Sequence, residues 1–104
     1  MMKVYVVYDN DEFEDAQAVI GEKEWPAYKE SREDEFRYAL GSAFDELKKA
    51  DPTLQITKNI EIVDKEETRF FGAMMAVRGT KNKHDLHYGE GISYSIHELW
   101  NFKS

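Results

Sequence analysis

Three histidines, His84, His87 and His97, are the side chains in this sequence best suited to acid–base or metal chemistry near neutral pH. His84 and His87 stand three apart with Asp85 between them, and His97 is followed by Glu98. Imidazole nitrogens and a carboxylate are zinc ligands. No zinc signature spacing is present, and adjacent strand residues such as His97 and Glu98 point to opposite faces, so no metal site is expected. As a general base, His97 would need a partner such as Tyr94 or Glu98. Ser93 and Ser95 flank Tyr94, but no nucleophile elbow surrounds them. No catalytic residue is therefore assigned, and a non-enzymatic role is favoured. Cysteine is absent, which removes disulfides, thiolate metal sites and a thiol nucleophile.

His84 and His87 belong to a polar stretch, Gly79 to Gly91, that reads as a thirteen-residue insertion. Its cationic start, Arg78, Lys81 and Lys83, suits contact with a phosphate or nucleotide, and Gly79 would allow close backbone approach. The glycine spacing of a phosphate-binding loop is missing, as is a helix after it. Arg78, Lys81, Lys83, His84, His87 and His97 form the candidate small-ligand set. No cofactor is implied.

A second constellation is acidic. Residues 9–35 hold eleven carboxylates against Lys23, Lys29 and Arg32, a segment charge of 3 − 11 = −8 in a chain of net charge −7. Such a field attracts a basic protein and repels nucleic acid and anionic membrane. Spaced carboxylates can mimic a nucleic-acid backbone and occupy the groove of a nuclease or a nucleic-acid-guided effector. The expected contact set is Asp9, Asp11, Glu12, Glu14, Asp15, Glu22 and Glu24, with Trp25 and Tyr28 as aromatic anchors in a segment read as exposed. Trp25 has an alternative reading, a lid over the core. Asp9, Asp11 and Asp15 alternate as calcium ligands do, but the glycine and closing glutamate of an EF-hand loop are out of place. The leading expectation is a small acidic binding protein, an inhibitor, immunity or anti-defence protein directed at a basic partner such as a nuclease toxin. A small-ligand protein and a structural homo-oligomer are the alternatives.

These residues must be held by elements that the apolar pattern predicts. Val4 to Tyr8 reads as an interior strand, and Ala16 to Gly21 as a short second one. A helix follows. Phe36, Leu40, Ala43, Phe44, Leu47 and Ala50 recur at helical spacing, and Ser31 with Asp34 offers a capping box. A start at Pro26 would extend the same face through Tyr28 and Arg32. With the start at Ser31, Glu33, Asp34 and Glu35 occupy the first turn, and Lys48 and Lys49 the last. Gly41 inside the helix suggests a closely approaching strand. Thr53 to Val63 alternates, with a bulge expected near Lys58 and Asn59. Thr68 to Arg78 is apolar on both faces and pairs with it as a hairpin, and Ile92 to Trp100 is the last strand.

The expected architecture is α+β, a two-layer sandwich with one amphipathic helix on a mainly antiparallel sheet of four or five strands, in the order β-(β)-α-β-β-β. The uncovered sheet face, where Tyr and Trp would lie, is a candidate partner or homodimer surface. Residues 1–104 read as a single domain. No secretory signal and no membrane span are visible, which makes the cytoplasm the expected location.

Overall fold

The computed structural model describes residues 2–9, 18–80 and 86–99. Among them the chain forms β1 (Met2–Asp9), β2 (Ala18–Gly21), α1 (Trp25–Ala50), β3 (Gln55–Lys65), a 3-10 turn (Glu66–Thr68), β4 (Phe70–Arg78) and β5 (Leu86–Leu99). The strands make one sheet in the order β2-β1-β5-β4-β3, antiparallel at every pairing. One helix packs on one face of that sheet, the two-layer α+β arrangement expected from the apolar pattern.

The helix starts six residues before Ser31. Pro26 sits in its first turn, where the proline's missing N–H costs nothing because that donor would have no helical acceptor. Ser31 therefore lies inside the helix and caps nothing. Glu33, Asp34 and Glu35 fall beyond the first turn, which holds no acidic residue. The first turn is held by rings instead. Trp25 stacks on Tyr5 at 4.3 Å and on Tyr28 at 5.8 Å between centroids. At the other end Lys48 and Lys49 occupy the last turn as expected. Lys49 pairs with Glu46 at 3.1 Å. Asp51 ends the helix, because its carboxylate accepts the backbone N–H of Thr53 at 3.0 Å and so turns the chain toward β3.

Tyr28, Phe36, Leu40, Phe44 and Leu47 turn one side of α1 to the sheet. Opposite them stand Val7, Ile92 and Tyr94, and the alternate β4 residues Phe71, Ala73, Met75 and Val77. Leu40 keeps 2% of its surface. Burying a side chain of that size contributes about 1.5–3 kcal/mol. Gly41 does not meet a strand: a Cβ built there touches nothing within 4 Å.

β3 is irregular where expected, with register shifts on either side of Lys58. The β3–β4 hairpin closes through Arg69, the one non-glycine residue of positive φ (56°) among those described. The 79–91 stretch is the main departure from the sequence reading. β5 begins at Leu86, and Leu86, His87 and Tyr88 pair with Val77, Ala76 and Met75. The polar residues 86–91 are thus strand, and the connection between β4 and β5 is correspondingly shorter. Gly72 explains part of this. It faces Gly91 so closely that a Cβ would collide with the carbonyl oxygen of Glu90 and come within 2.9 Å of the Gly91 Cα. Glu98 also remains in the strand, across from Lys3.

Candidate functional site

Among the described residues of the acidic segment, some carboxylates are held in ion pairs within the fold. Arg32 reaches from α1 to the end of β1 and binds Asp9 at 3.0 Å, while its other terminal nitrogen binds Glu35 at 2.6 Å. Its guanidinium also lies 5.1 Å from the centre of the Phe36 ring. Glu33 pairs loosely with Arg37 at 4.0 Å. Glu22, Glu24, Glu30 and Asp34 remain, exposed and without an ion pair among the described residues. Glu22 and Glu24 lie in the turn before α1, which the Glu22 N–H ties to the Lys3 carbonyl at 3.2 Å. Glu30 and Asp34 follow on the outer side of the helix, one turn apart.

The next position in that row is Tyr38. It is 79% exposed, the most exposed large apolar side chain described. It stands two residues from Phe36 and two from Leu40, about 200° around the helix from each, on the side opposite the core. Sequence reasoning did not single it out. The signal was present: an aromatic residue at a position that the helical period assigns to solvent. Beside it, three residues on, the missing side chain of Gly41 leaves open space.

The two aromatic anchors expected from the sequence lie elsewhere. Trp25 is 7% exposed and belongs to the core, so its burial matches the lid reading and the segment is not exposed at that residue. Tyr28 is half-buried against it. Burial raises the Tyr28 pKa above 10.0, Arg32 opposes the shift, and Asp9 and Glu35 add to it. Burial likewise raises that of Tyr94, with Asp64 and Glu66 adding. Tyr5, Trp25 and Tyr94 line a cleft of about 340 Å³ together with Lys29, Glu66 and Arg69. Its lysine is already committed, 3.0 Å from Asp64. Asp11, Glu12, Glu14 and Asp15 lie outside the described residues.

The small-ligand set is divided. Lys81, Lys83 and His84 are outside the described residues. Arg78 ends β4 and lines a cleft of about 360 Å³ with Thr53, Gln55, Gly79 and Thr80. His87 is near that end, paired with Ala76. His97 pairs with Val4, ten strand residues away on the same face of β5, a separation of about 33 Å. His87 and His97 therefore cannot share a ligand. His97 does meet Ser95, Oγ to Nε2 at 2.9 Å, a contact the sequence reading overlooked. Both side chains lie on the open sheet face, and no carboxylate orients the imidazole among the described residues. Catalysis by such a pair needs that third group. No group of three or more metal-ligating His, Cys, Asp or Glu side chains occurs among the described residues. No described helix is long and apolar enough to cross a membrane.

Comparison with protein-family models, with curated proteins and with solved structures gives no match.

Proposed function

We propose that this chain is a small acidic binding module that engages and regulates a basic protein, with the outer side of α1 and the turn before it as the contact surface. The observation that carries the reading is Tyr38, a rigidly mounted and exposed ring in line with Glu30 and Asp34. Tyrosine is favoured at binding hot spots because it adds large contact area at low entropic cost. The carboxylates around it supply steering toward a cationic partner. Glu22 and Glu24 extend the strip, and Asp11, Glu12, Glu14 and Asp15 add to the same local charge in sequence. A nuclease or another nucleic-acid-handling effector fits, since its working surface must be cationic.

The test is capture from lysate with wild type, Glu30→Lys/Asp34→Lys and Tyr38→Ala, each at low and high salt. A basic protein held by wild type, released by salt and lost from the charge-reversed variant is the expected outcome. Tyr38→Ala should weaken that complex roughly 30-fold, as loss of a hot spot of about 2 kcal/mol does. Capture that ignores both the reversal and the salt refutes the reading. Arg78 in its cleft favours a second reading, an anionic small ligand, for which inorganic phosphate should raise the melting temperature.

A further inference from the structure

We propose that the C-terminal half of β5 is a strand-addition site, and that its occupant is the carboxyl end of another polypeptide, extended, with an apolar last residue and a free carboxylate. The site is separate from the outer side of α1, so the inference does not rest on the acidic reading above.

The sheet is stepped at β5. β4 pairs with it from Leu86 to Ser93, and β1 from Ile92 to Leu99, so the two neighbours overlap only at Ile92 and Ser93. Past that point the β4 side of β5 has one backbone partner among the described residues, the Arg69 carbonyl, which accepts the Tyr94 N–H at 3.0 Å. Backbone direction alternates along a strand, so the N–H and C=O groups of Ile96 and Glu98 point the same way as those of Tyr94. Lys3 agrees with this. It stands across from Glu98, yet its carbonyl accepts the Glu22 N–H on the far side of β1 at 3.2 Å and so does not bond Glu98. The outward N–H and C=O groups of Ile96 and Glu98 therefore have no strand of the described chain beside them. An extended backbone is the complement of such a row.

The β3–β4 turn sets the direction and the length of the occupant. The sheet is antiparallel at every pairing, and an added strand that follows suit runs in the direction of β4. It therefore reaches the turn with its carboxyl end. Arg69 already holds the place opposite Tyr94, so the added chain must stop opposite Ile96 or bend out of the sheet. A chain terminus meets this requirement without a bend.

The cleft beside Trp25 lies at that stop. Residues opposite one another in an antiparallel pair share a face, so a last residue across from Ile96 turns its side chain to the helical side. There it enters the space of about 340 Å³ walled by Tyr5, Trp25, Tyr94 and Ile96, which suits an aliphatic or aromatic group. Arg69 lines the same cleft, has no ion pair among the described residues, and is the donor for the carboxylate. Lys29 is held by Asp64, and Glu66 is the one carboxylate lining the cleft. Glu66 has no ion pair among the described residues either, so the arriving carboxylate competes with it for Arg69 without breaking an existing bond. Arg69 is also the described non-glycine residue of positive φ (56°), in a turn where glycine would sit without strain. A strained conformation kept beside a cleft is the pattern of a binding residue.

The probes are tetrapeptides Thr-Xaa-Thr-Xaa, Xaa being Val, Leu or Phe, labelled with fluorescein at the amino end and titrated by anisotropy as free acids and as amides. A free acid should bind saturably and slow hydrogen exchange at the Ile96 and Glu98 amides. Its amide should bind about 10-fold more weakly or worse, through loss of the charge-assisted contact. Arg69→Gly suits the turn, so the chain still folds, and it should bring the free acid down to the amide. Glu66→Gln should tighten the free acid alone. Glu98→Pro removes an N–H that β1 does not use and should weaken both forms about 10-fold or more, with the fold verified by circular dichroism. Glu30→Lys/Asp34→Lys and Tyr38→Ala should leave peptide binding unchanged, which separates this site from the acidic surface. The proposal is overturned if no free acid saturates at millimolar concentration, if acid and amide bind alike, or if binding survives Glu98→Pro in a folded chain.

Discussion

Gly41→Ala should stabilise the protein, and Gly72→Ala should do the reverse. Both replacements add one methyl group at a glycine of negative φ inside a regular element, so their difference isolates what surrounds the new carbon. At Gly41 the Cβ meets nothing within 4 Å, and the substitution removes backbone freedom from the unfolded chain at no steric cost. Glycine in mid-helix costs roughly 0.5–1 kcal/mol relative to alanine. In a domain of this size that amounts to a rise in Tm of about 2–8 °C. At Gly72 the new carbon runs into the Glu90 carbonyl oxygen, the Gly91 Cα and the Phe70 ring. Two of those are backbone atoms of the neighbouring strand, which can move only by breaking the β4–β5 register. Overpacking of this sort costs about 1–3 kcal/mol. Urea and thermal unfolding followed by circular dichroism, at one fixed chain concentration, measure both. Unchanged m-values show that the native surface is intact and that midpoint shifts are stability changes. A destabilised Gly41→Ala, or shifts of the same sign in the two variants, refutes the placement of α1 relative to the sheet.

Trp25→Ala should cost about 3–5 kcal/mol, since it empties the space between Tyr5, Tyr28 and Tyr94; an exposed contact residue would change stability by less than about 0.5 kcal/mol, and urea midpoints separate the two. Alkaline pH should weaken the fold through Tyr28 and Tyr94. Their pKa values are raised above 10.0 in the folded state, so the unfolded chain sheds their protons first, and stability present below pH 10 is lost as pH rises through the folded values. Tyr28→Phe and Tyr94→Phe should each remove a late-ionising component from the phenolate absorbance titration, and Tyr94→Phe should lessen the loss of urea midpoint between about pH 9 and about pH 11; a titration whose late component survives both substitutions contradicts this.

Much of the fold was legible because two periods carry it. The four-residue spacing of Phe36, Leu40 and Phe44 defines the buried side of α1, and the two-residue spacing of Phe71, Ala73, Met75 and Val77 defines the inner side of β4. Ser31 misled because a capping box is a local signal. The tertiary stacking of Trp25 on Tyr5, together with Pro26 in a first turn that needs no N–H, carries the helix back beyond it. Residues 86–91 misled in the same way. Their glycines and polar side chains resemble a loop until β4 supplies Gly72 as the counterpart of Gly91. The candidate site was legible in type more than in place. The net charge showed that carboxylates would dominate one region, but not that Arg32 binds Asp9 and Glu35. Arg32 is one of three cations in a segment of eleven acids, and only the folded chain selects its partners. Tyr38 could have been found from the helical wheel alone.

The position of β1 has a consequence for how the chain acquires this structure. β1 is an interior strand, hydrogen-bonded to β2 on one side and to β5 on the other. β2 follows shortly after it, but β5 arrives only after α1, β3 and β4 have been made. Until then β1 presents an open edge rich in valine, and the aromatic seat for Trp25 lacks Tyr94. The β3–β4 hairpin and α1 can form from neighbouring residues, whereas the β1–β5 ladder must close a loop that spans nearly everything between. Closing such a loop is entropically unfavourable until the contacts that reward it are made, and chains with distant pairings fold slowly. The last ladder to zip is thus the one at the centre of the sheet. Arrest before β5 leaves an unpaired valine edge, a template for pairing with another copy, so this protein is most vulnerable to aggregation while β5 is still being made.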